Sequence, residues 1–191
     1  METLFGRDLF GDTDKRVKVS AKMCRLLFVC NPDYIATICH GRCCNPASGK
    51  RLVAITTDET PRIINLGARV DGGFLLPDPA TGLCPFKTPE GLCGVHATDQ
   101  PFGCKMSPFK LNTTGTLIIR HRYCSMRCHR DGTVAAYLVF RRSLEALFGS
   151  GETERIVTHL DGGGGNLIAE MPRKNYLAAK EIDAIYLKGK S

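Results

Sequence analysis

The residues best suited to chemistry in this chain are eight cysteines: Cys39, Cys43, Cys44, Cys84, Cys93, Cys104, Cys124 and Cys128. Their pattern is C-x3-C-C, a long gap, then C-x8-C-x10-C-x19-C-x3-C, with no cysteine in the stretch that follows. Thiols four residues apart share one face of a helix, so Cys39 can act with Cys43, and Cys124 with Cys128. Cys84 follows Gly82 and precedes Pro85, and Cys93 is flanked by Gly91 and Gly94. Such turns let backbone curl closely around a metal and offer N–H groups to bound sulfur. Many soft thiolates suit zinc or an iron–sulfur cluster. The C-x2-C pairs of zinc ribbons and fingers are absent, which tilts the expectation towards iron–sulfur, including the [4Fe–4S] type. Eight thiolates are enough for two four-ligand sites, or for one cluster with spare structural cysteines, and the spacing leaves both open.

Competing explanations for so many cysteines are weaker. A disulfide framework needs an oxidising compartment, and the charged start METLFGRDLFGDTDKRVKVSAKMC has no apolar signal run. The expectation is therefore a cytoplasmic protein without a membrane segment. Cys24 and Cys30 lie outside the dense window and read as inert small hydrophobes. The three-cysteine radical pattern C-x3-C-x2-C fails, because Pro46 stands at its third position.

The elements that must position these thiols are only partly legible. Apolar residues make up 43% and charged residues 24%, a globular composition. Trp is absent and aromatics are 7%, so a core this thin favours extra cross-linking by metal or disulfide. Residues 1–16 read as a flexible leader, with Phe5 and Phe10 as a docking peptide or as part of a frayed end. Residues 17–30 fit strand or helix. Asp33 is a candidate cap for a short helix through Cys39 to Cys43. RLVAITTDE reads as a strand, and TPRIINLGARV as a helix with Thr60 as cap and Gly67 near its end. Residues 71–109 are rich in Gly and Pro and read as a long irregular loop that needs something other than ladders to order it. GTLIIRHRYC reads as a strand, TVAAYLVFRRSLEALFG as strand then helix, and ETERIVTHLDG as a short helix. GGGGN reads as a flexible joint, and NYLAAKEIDAIYLKG as a terminal helix. The expected fold is α+β, mainly helical: a small irregular metal-organised domain over residues 17–148, followed by a helical C-terminal extension over 149–191.

The cysteine order, with Cys84-Pro85-Phe86, EGLCGVH, QPFGCKMSPF and a later Cys, resembles the YkgJ-like cysteine-cluster family, described as a zinc- or iron-chelating domain. The resemblance covers about residues 35–130. Two departures stand out: the family's Arg-Pro is Gln100-Pro101 here, and its Tyr after the second Cys is near His96. The family is also similar to the cysteine-rich part of flagellin lysine methylases. That likeness implies an enzyme as one alternative, a metal-dependent catalyst modifying a protein or nucleic-acid group.

Other candidates surround the thiols. His40, His96, His121 and His129 lie in or beside the cluster, His96 being the best placed to ligate. Arg120, Arg122, Arg127 and Arg130 form a basic stretch around two cysteines. It either screens thiolates and lowers their pKa or contacts nucleic acid. The net charge of +7 is compatible with both. DGGGGN lacks the Lys-Ser/Thr of a phosphate loop, and Asp58, Glu59 and Asp71 have no evident catalytic partner. The functional expectation is a metal-binding cysteine-cluster protein in a structural, redox or accessory role. The modifying enzyme and a nucleic-acid-binding module with a structural metal are the alternatives.

Overall fold

Arg16–Val19 alternates charged and apolar side chains, the period of a half-buried strand, and with Lys15 it forms β1 (Lys15–Val19), an inner strand of a sheet. The structure is a computed structural model describing residues 14–45 and 51–189. After β1 come α1 (Ala21–Cys24), β2 (Leu27–Phe28) and α2 (Pro32–Tyr34). A π-helical turn (Ile35–Cys39) and a 3-10 turn (Arg42–Cys44) follow, then α3 (Thr60–Asn65), β3 (Val70–Asp71) and β4 (Phe74–Leu75). Next are α4 (Phe102–Lys105), β5 (Phe109–Leu111), β6 (Thr116–Ile119), α5 (His121–Cys124), α6 (Arg127–Arg130) and β7 (Val134–Ala135). The chain continues through α7 (Ala136–Val139), α8 (Arg141–Phe148), α9 (Ser150–Asp161), β8 (Leu167–Met171) and α10 (Arg173–Lys188). Helix accounts for 43% and strand for 16%, a mixed fold with more helix than strand.

The main sheet has the order β5-β6-β1-β8. β1 runs parallel to β6 and antiparallel to β8, with Val17 opposite Ala169 and Val19 opposite Leu167. These side chains share one buried face with Leu117, Ile119 and Met171. α8 buries Leu144, Leu147 and Phe148, and α9 buries Ile156, Val157 and Leu160. This spacing of three and four residues aligns an apolar stripe, and the two stripes join the sheet residues in one core. Each such side chain contributes about 1.5–3 kcal/mol by leaving water. A smaller core of Leu52, Ile55, Ile63, Ala68 and Leu75 packs with Cys84 and Phe86.

Several expectations change on folding. Residues 149–189 are not an appended extension: β8 completes the sheet, and α9 and α10 bury Leu160, Ala179 and Ile182 in the main core. β8 alternates buried and exposed residues and closes directly after the glycine joint. Asn31, not Asp33, caps α2, its Oδ1 accepting from the Tyr34 N–H at 2.8 Å. RLVAITTDE forms no strand of its own; Leu52 and Ile55 donate to Leu75 and Gly73, and Ala54 bridges Phe74. GTLIIRHRYC splits into β6 and α5. Thr60 begins α3 without capping it, since its hydroxyl donates to Thr56 O. The leader overlaps β1, which starts at Lys15, and Phe5 and Phe10 lie outside the described residues. Among the described residues no helix is long and apolar enough to cross a membrane.

The Gly/Pro-rich stretch opens with the β3–β4 hairpin, whose central Gly72 and Gly73 have φ of 53° and 77°. Two consecutive positive φ values make the tight turn that glycine permits without strain. From 76 to 101 no helix or strand forms, and successive turns hold the chain. Asp78 Oδ1, for instance, accepts from the Ala80 and Thr81 N–H groups at 3.0 and 2.9 Å.

Candidate metal centre

Two chain reversals carry five of the thiols, Cys39, Cys43, Cys44, Cys84 and Cys93. The π-turn ends at Cys39, and His40 and Gly41 then adopt left-handed conformations with φ of 47° and 60°. The chain folds back into the 3-10 turn that carries Cys43 and Cys44. The second reversal is the Cys84–Cys93 turn. There Lys87 N–H donates to Cys84 O at 3.0 Å, Gly94 N–H donates to Phe86 O at 2.8 Å, and Lys87 pairs with Cys93. The reversals touch backbone to backbone. A Cβ on Gly41 would stand 2.2 Å from Gly91 O, and one on Gly91 2.7 Å from His40 C. Lys87 Nζ donates to Asn45 Oδ1 at 2.9 Å, and Arg122 reaches Cys43 O and Asn45 O at 3.3 and 3.4 Å.

Gly91→Ala is therefore expected to cost roughly 2–5 kcal/mol, from forcing a side chain into left-handed backbone and from overlap with His40. Gly82→Ala is the control: its φ is +70° with nothing within 4 Å, so only the conformational part, about 1–2 kcal/mol, applies. Denaturant titration of both variants measures the difference. Equal losses would mean that the contact between the two turns is unimportant.

Around these turns opens a cleft of about 2040 Å³, lined by Cys30, Cys39, Cys43, Cys44, Cys84, Cys93, Cys104 and Cys128. All ten cysteines are free thiols. Seven of the eight cysteines singled out by spacing line the cleft. Cys124 does not: it ends α5, and like Cys128 it packs against the main core. Ser125 and Met126 break the helix, so Cys124 and Cys128 fall on separate helices and the four-residue argument fails for them. Cys30, taken from sequence as inert, lines the cleft instead. A signal for it existed, because Cys30 and Cys39 repeat the C-x8-C spacing of Cys84 and Cys93. Cys24 is buried in the core, and burial pushes its thiol up to about 12.

Cys43 Sγ and Cys44 Sγ are 3.9 Å apart. The contact with Cys44 holds the Cys43 thiol below the ordinary thiol range, with Arg122 and Lys87 adding to the effect against burial. The same contact raises Cys44, as do burial and the neighbouring Cys104 and Cys84. Burial, then Cys84 and Cys93, push Cys104 well up. Thiols raised in this way stay protonated until a cation takes the place of the proton. Among the described residues, no three His, Cys, Asp or Glu side chains are already gathered as a ligand set for one ion. The donor chemistry nevertheless fits a thiophilic metal: eight cysteines with unbonded thiols line one cleft, and Asp183 is the one carboxylate among its lining residues.

The other candidates separate into structural and open groups. His96 and His121 line the cleft. His129 stacks on Phe28 at 4.9 Å, with Nδ1 2.7 Å from Leu27 O, and His40 makes the left-handed turn. Arg120 pairs with Asp183, Arg122 with the Cys43 and Asn45 carbonyls, and Arg127 with Asp131. Three of the four arginines of the basic stretch are thus held by internal contacts. Glu59 is likewise a tie, accepting from Phe102 N–H at 2.7 Å and from Arg62. Arg42, Lys105, Lys110, Arg142 and Lys180 also line the cleft, giving it a strongly positive wall that sequence spacing did not reveal.

Comparison with protein-family models, with curated proteins and with solved structures finds no match for this chain. The resemblance to the cysteine-cluster family rests on the cysteine order and the motifs around Cys84, Cys93 and Cys104 alone.

Proposed function

We propose that this chain is a thiolate metal-binding protein holding zinc or an iron–sulfur cluster in a structural, redox or accessory role in a reducing compartment, the cytoplasm. One observation carries the reading: eight free cysteines from five separate stretches of chain line a single cleft. Inert cysteines would be buried in the core, as Cys24 is. The positive wall suits the same role, since tetrathiolate centres carry net negative charge that neighbouring cations offset. Zinc would supply a closed structural site, and an iron–sulfur cluster a one-electron couple. The chain's own part is to hold five of the sulfurs on two braced turns and to bring Cys30, Cys104 and Cys128 beside them, with Arg122 and Lys87 steadying the segment around Cys43 to Asn45.

A second reading, a metal-dependent enzyme acting on a protein or nucleic-acid group, draws on the size of the cleft. Its volume exceeds the roughly 300–1,000 Å³ of ordinary ligand pockets, and Arg42, Lys110 and Lys180 line it.

Protein purified without oxygen is expected to contain stoichiometric zinc or iron by elemental analysis. Broad absorption near 400 nm, roughly the region of thiolate-to-iron charge transfer, identifies the cluster. A colourless protein with zinc identifies the other form. Protein that takes up neither metal under reducing conditions, with all ten thiols titratable, would remove the proposal.

A further inference from the structure

We infer that the thiols make two separate four-sulfur metal centres, not one, joined through the Cys43–Cys44 peptide. Cys30, Cys39, Cys43 and Cys128 hold the first; Cys44, Cys84, Cys93 and Cys104 hold the second. The inference rests on the metal-binding reading above and adds to it the number of centres, the membership of each, and Cys30 as a ligand in place of Cys124.

The first group is assembled by three segments tied to one another. Val29 N–H donates to Cys128 O at 2.8 Å, so the backbones of Cys30 and Cys128 run side by side. That seam admits no side chain: a Cβ on Gly132 would meet Leu27 O at 2.4 Å. The turn from Asn31 to Cys39 leaves directly from Cys30, and Tyr34 Oη donates to Asp131 Oδ2 at 2.7 Å, fastening it to the end of α6. The second group is built on the other reversal. Cys84 and Cys93 occupy facing arms of one turn. That turn is fastened to the residue after Cys44 by Lys87 and Asn45. Cys104 is brought in by α4, whose position is set by Glu59 accepting from Phe102 N–H and by Gly103 lying against Ala54 O.

Cys43 and Cys44 are the point of division. A separation of 3.9 Å between their sulfurs would by itself suit two ligands of one ion. Their neighbours argue otherwise. Successive residues of a 3-10 turn, with three residues per turn, project about 120° apart. The hydrogen bond from Lys87 Nζ to Asn45 Oδ1 holds the Cys44 end of the turn against the Cys84–Cys93 reversal, and the ties of Val29 to Cys128 and of Tyr34 to Asp131 hold Cys30, Cys39 and Cys128 on the other side.

The test is metal content per chain in wild type, Cys30→Ser, Cys84→Ser and Cys124→Ser, each loaded anaerobically with zinc alone and, separately, with ferrous iron and sulfide. Wild type is expected to bind two zinc ions, or about eight irons as two cubane clusters. Cys30→Ser and Cys84→Ser are each expected to lose half of this, and Cys124→Ser none. A single centre per chain, complete loss from one serine variant that remains folded by circular dichroism, or loss from Cys124→Ser with retention in Cys30→Ser would overturn the partition while leaving metal binding intact. No metal in wild type would remove the underlying reading. Because a serine variant can misfold, the wild type supplies an independent measurement. Thiol alkylation mapped by mass spectrometry, before and after chelation, is expected to show Cys30 protected by metal and Cys124 unchanged. The reverse pattern excludes Cys30 as a ligand.

Discussion

Stripping metal from the loaded protein under reducing conditions is expected to unfold the two thiol-bearing reversals well before the sheet. Structural metal binding can contribute on the order of 10 kcal/mol, comparable to the whole stability of an ordinary domain. The loss should be local, because the molecule has two apolar cores of very different size. The main sheet and α7–α10 share the larger one and take Val17, Leu117, Leu147 and Ile156 fully out of water. The Cys84–Cys93 turn leans on the smaller core, five buried residues packed with Cys84 and Phe86, and the 39–45 turn rests in its turn on Gly91 and Lys87. Hydrogen exchange read before and after chelation checks this. Amides in 84–104 and 39–45 should lose most of their protection, while β1, β6 and β8 keep theirs until global unfolding. Equal protection in both states would show that the turns are self-supporting and that metal has no part in organising them.

Asp183→Ala is expected to cost about 3–5 kcal/mol, a fall in Tm of roughly 6–20 °C for a chain of this length. Asp183 Oδ1 lies 3.2 Å from Arg120 Nη2, with the two side chains only 15% and 12% exposed. Its other oxygen accepts from Leu111 N–H at 3.1 Å, joining α10 to β5. Burial raises the Asp183 pKa and the Arg120 charge opposes this, so the carboxylate depends on its partner. Removing it leaves a guanidinium with little access to water and a backbone donor without its acceptor. Arg120 would keep its contact with the Tyr186 ring, 4.6 Å away, which is too weak to compensate. Replacing both partners, Arg120→Met with Asp183→Leu, should restore most of the loss, because neither charge then remains buried. Thermal melts of the single and double variants decide it. If the double variant is as unstable as Asp183→Ala, the stranded charge is not the cause.

Legibility in the sequence followed the length and regularity of the elements. The periodicity of SLEALF and of ETERIVTHL located α8 and α9, since a stripe recurring every three or four residues survives in any tertiary setting. β8 was readable in principle from the alternation of Leu167, Ala169 and Met171, but the glycines before it suggested a joint. β2, β3, β4 and β7 have two residues each, too short for any period, and they exist because a partner segment is adjacent. Glu59 looked like an idle loop carboxylate because the N–H it accepts from belongs to Phe102, forty-three positions away.

For the site, residue type alone established a dense supply of soft donors and the absence of the zinc-ribbon spacing. Which sulfurs meet was decided by the fold. The break at Ser125 and Met126 puts Cys124 and Cys128 on separate helices, both against the main core but only Cys128 lining the cleft, and the pairing of Val29 with Cys128 brings in Cys30. A thiol's chemistry is a property of its own atoms and can be read from one letter. Its neighbours depend on reversals such as His40-Gly41 against Gly91, held by contacts between segments some fifty residues apart, and no local pattern encodes those.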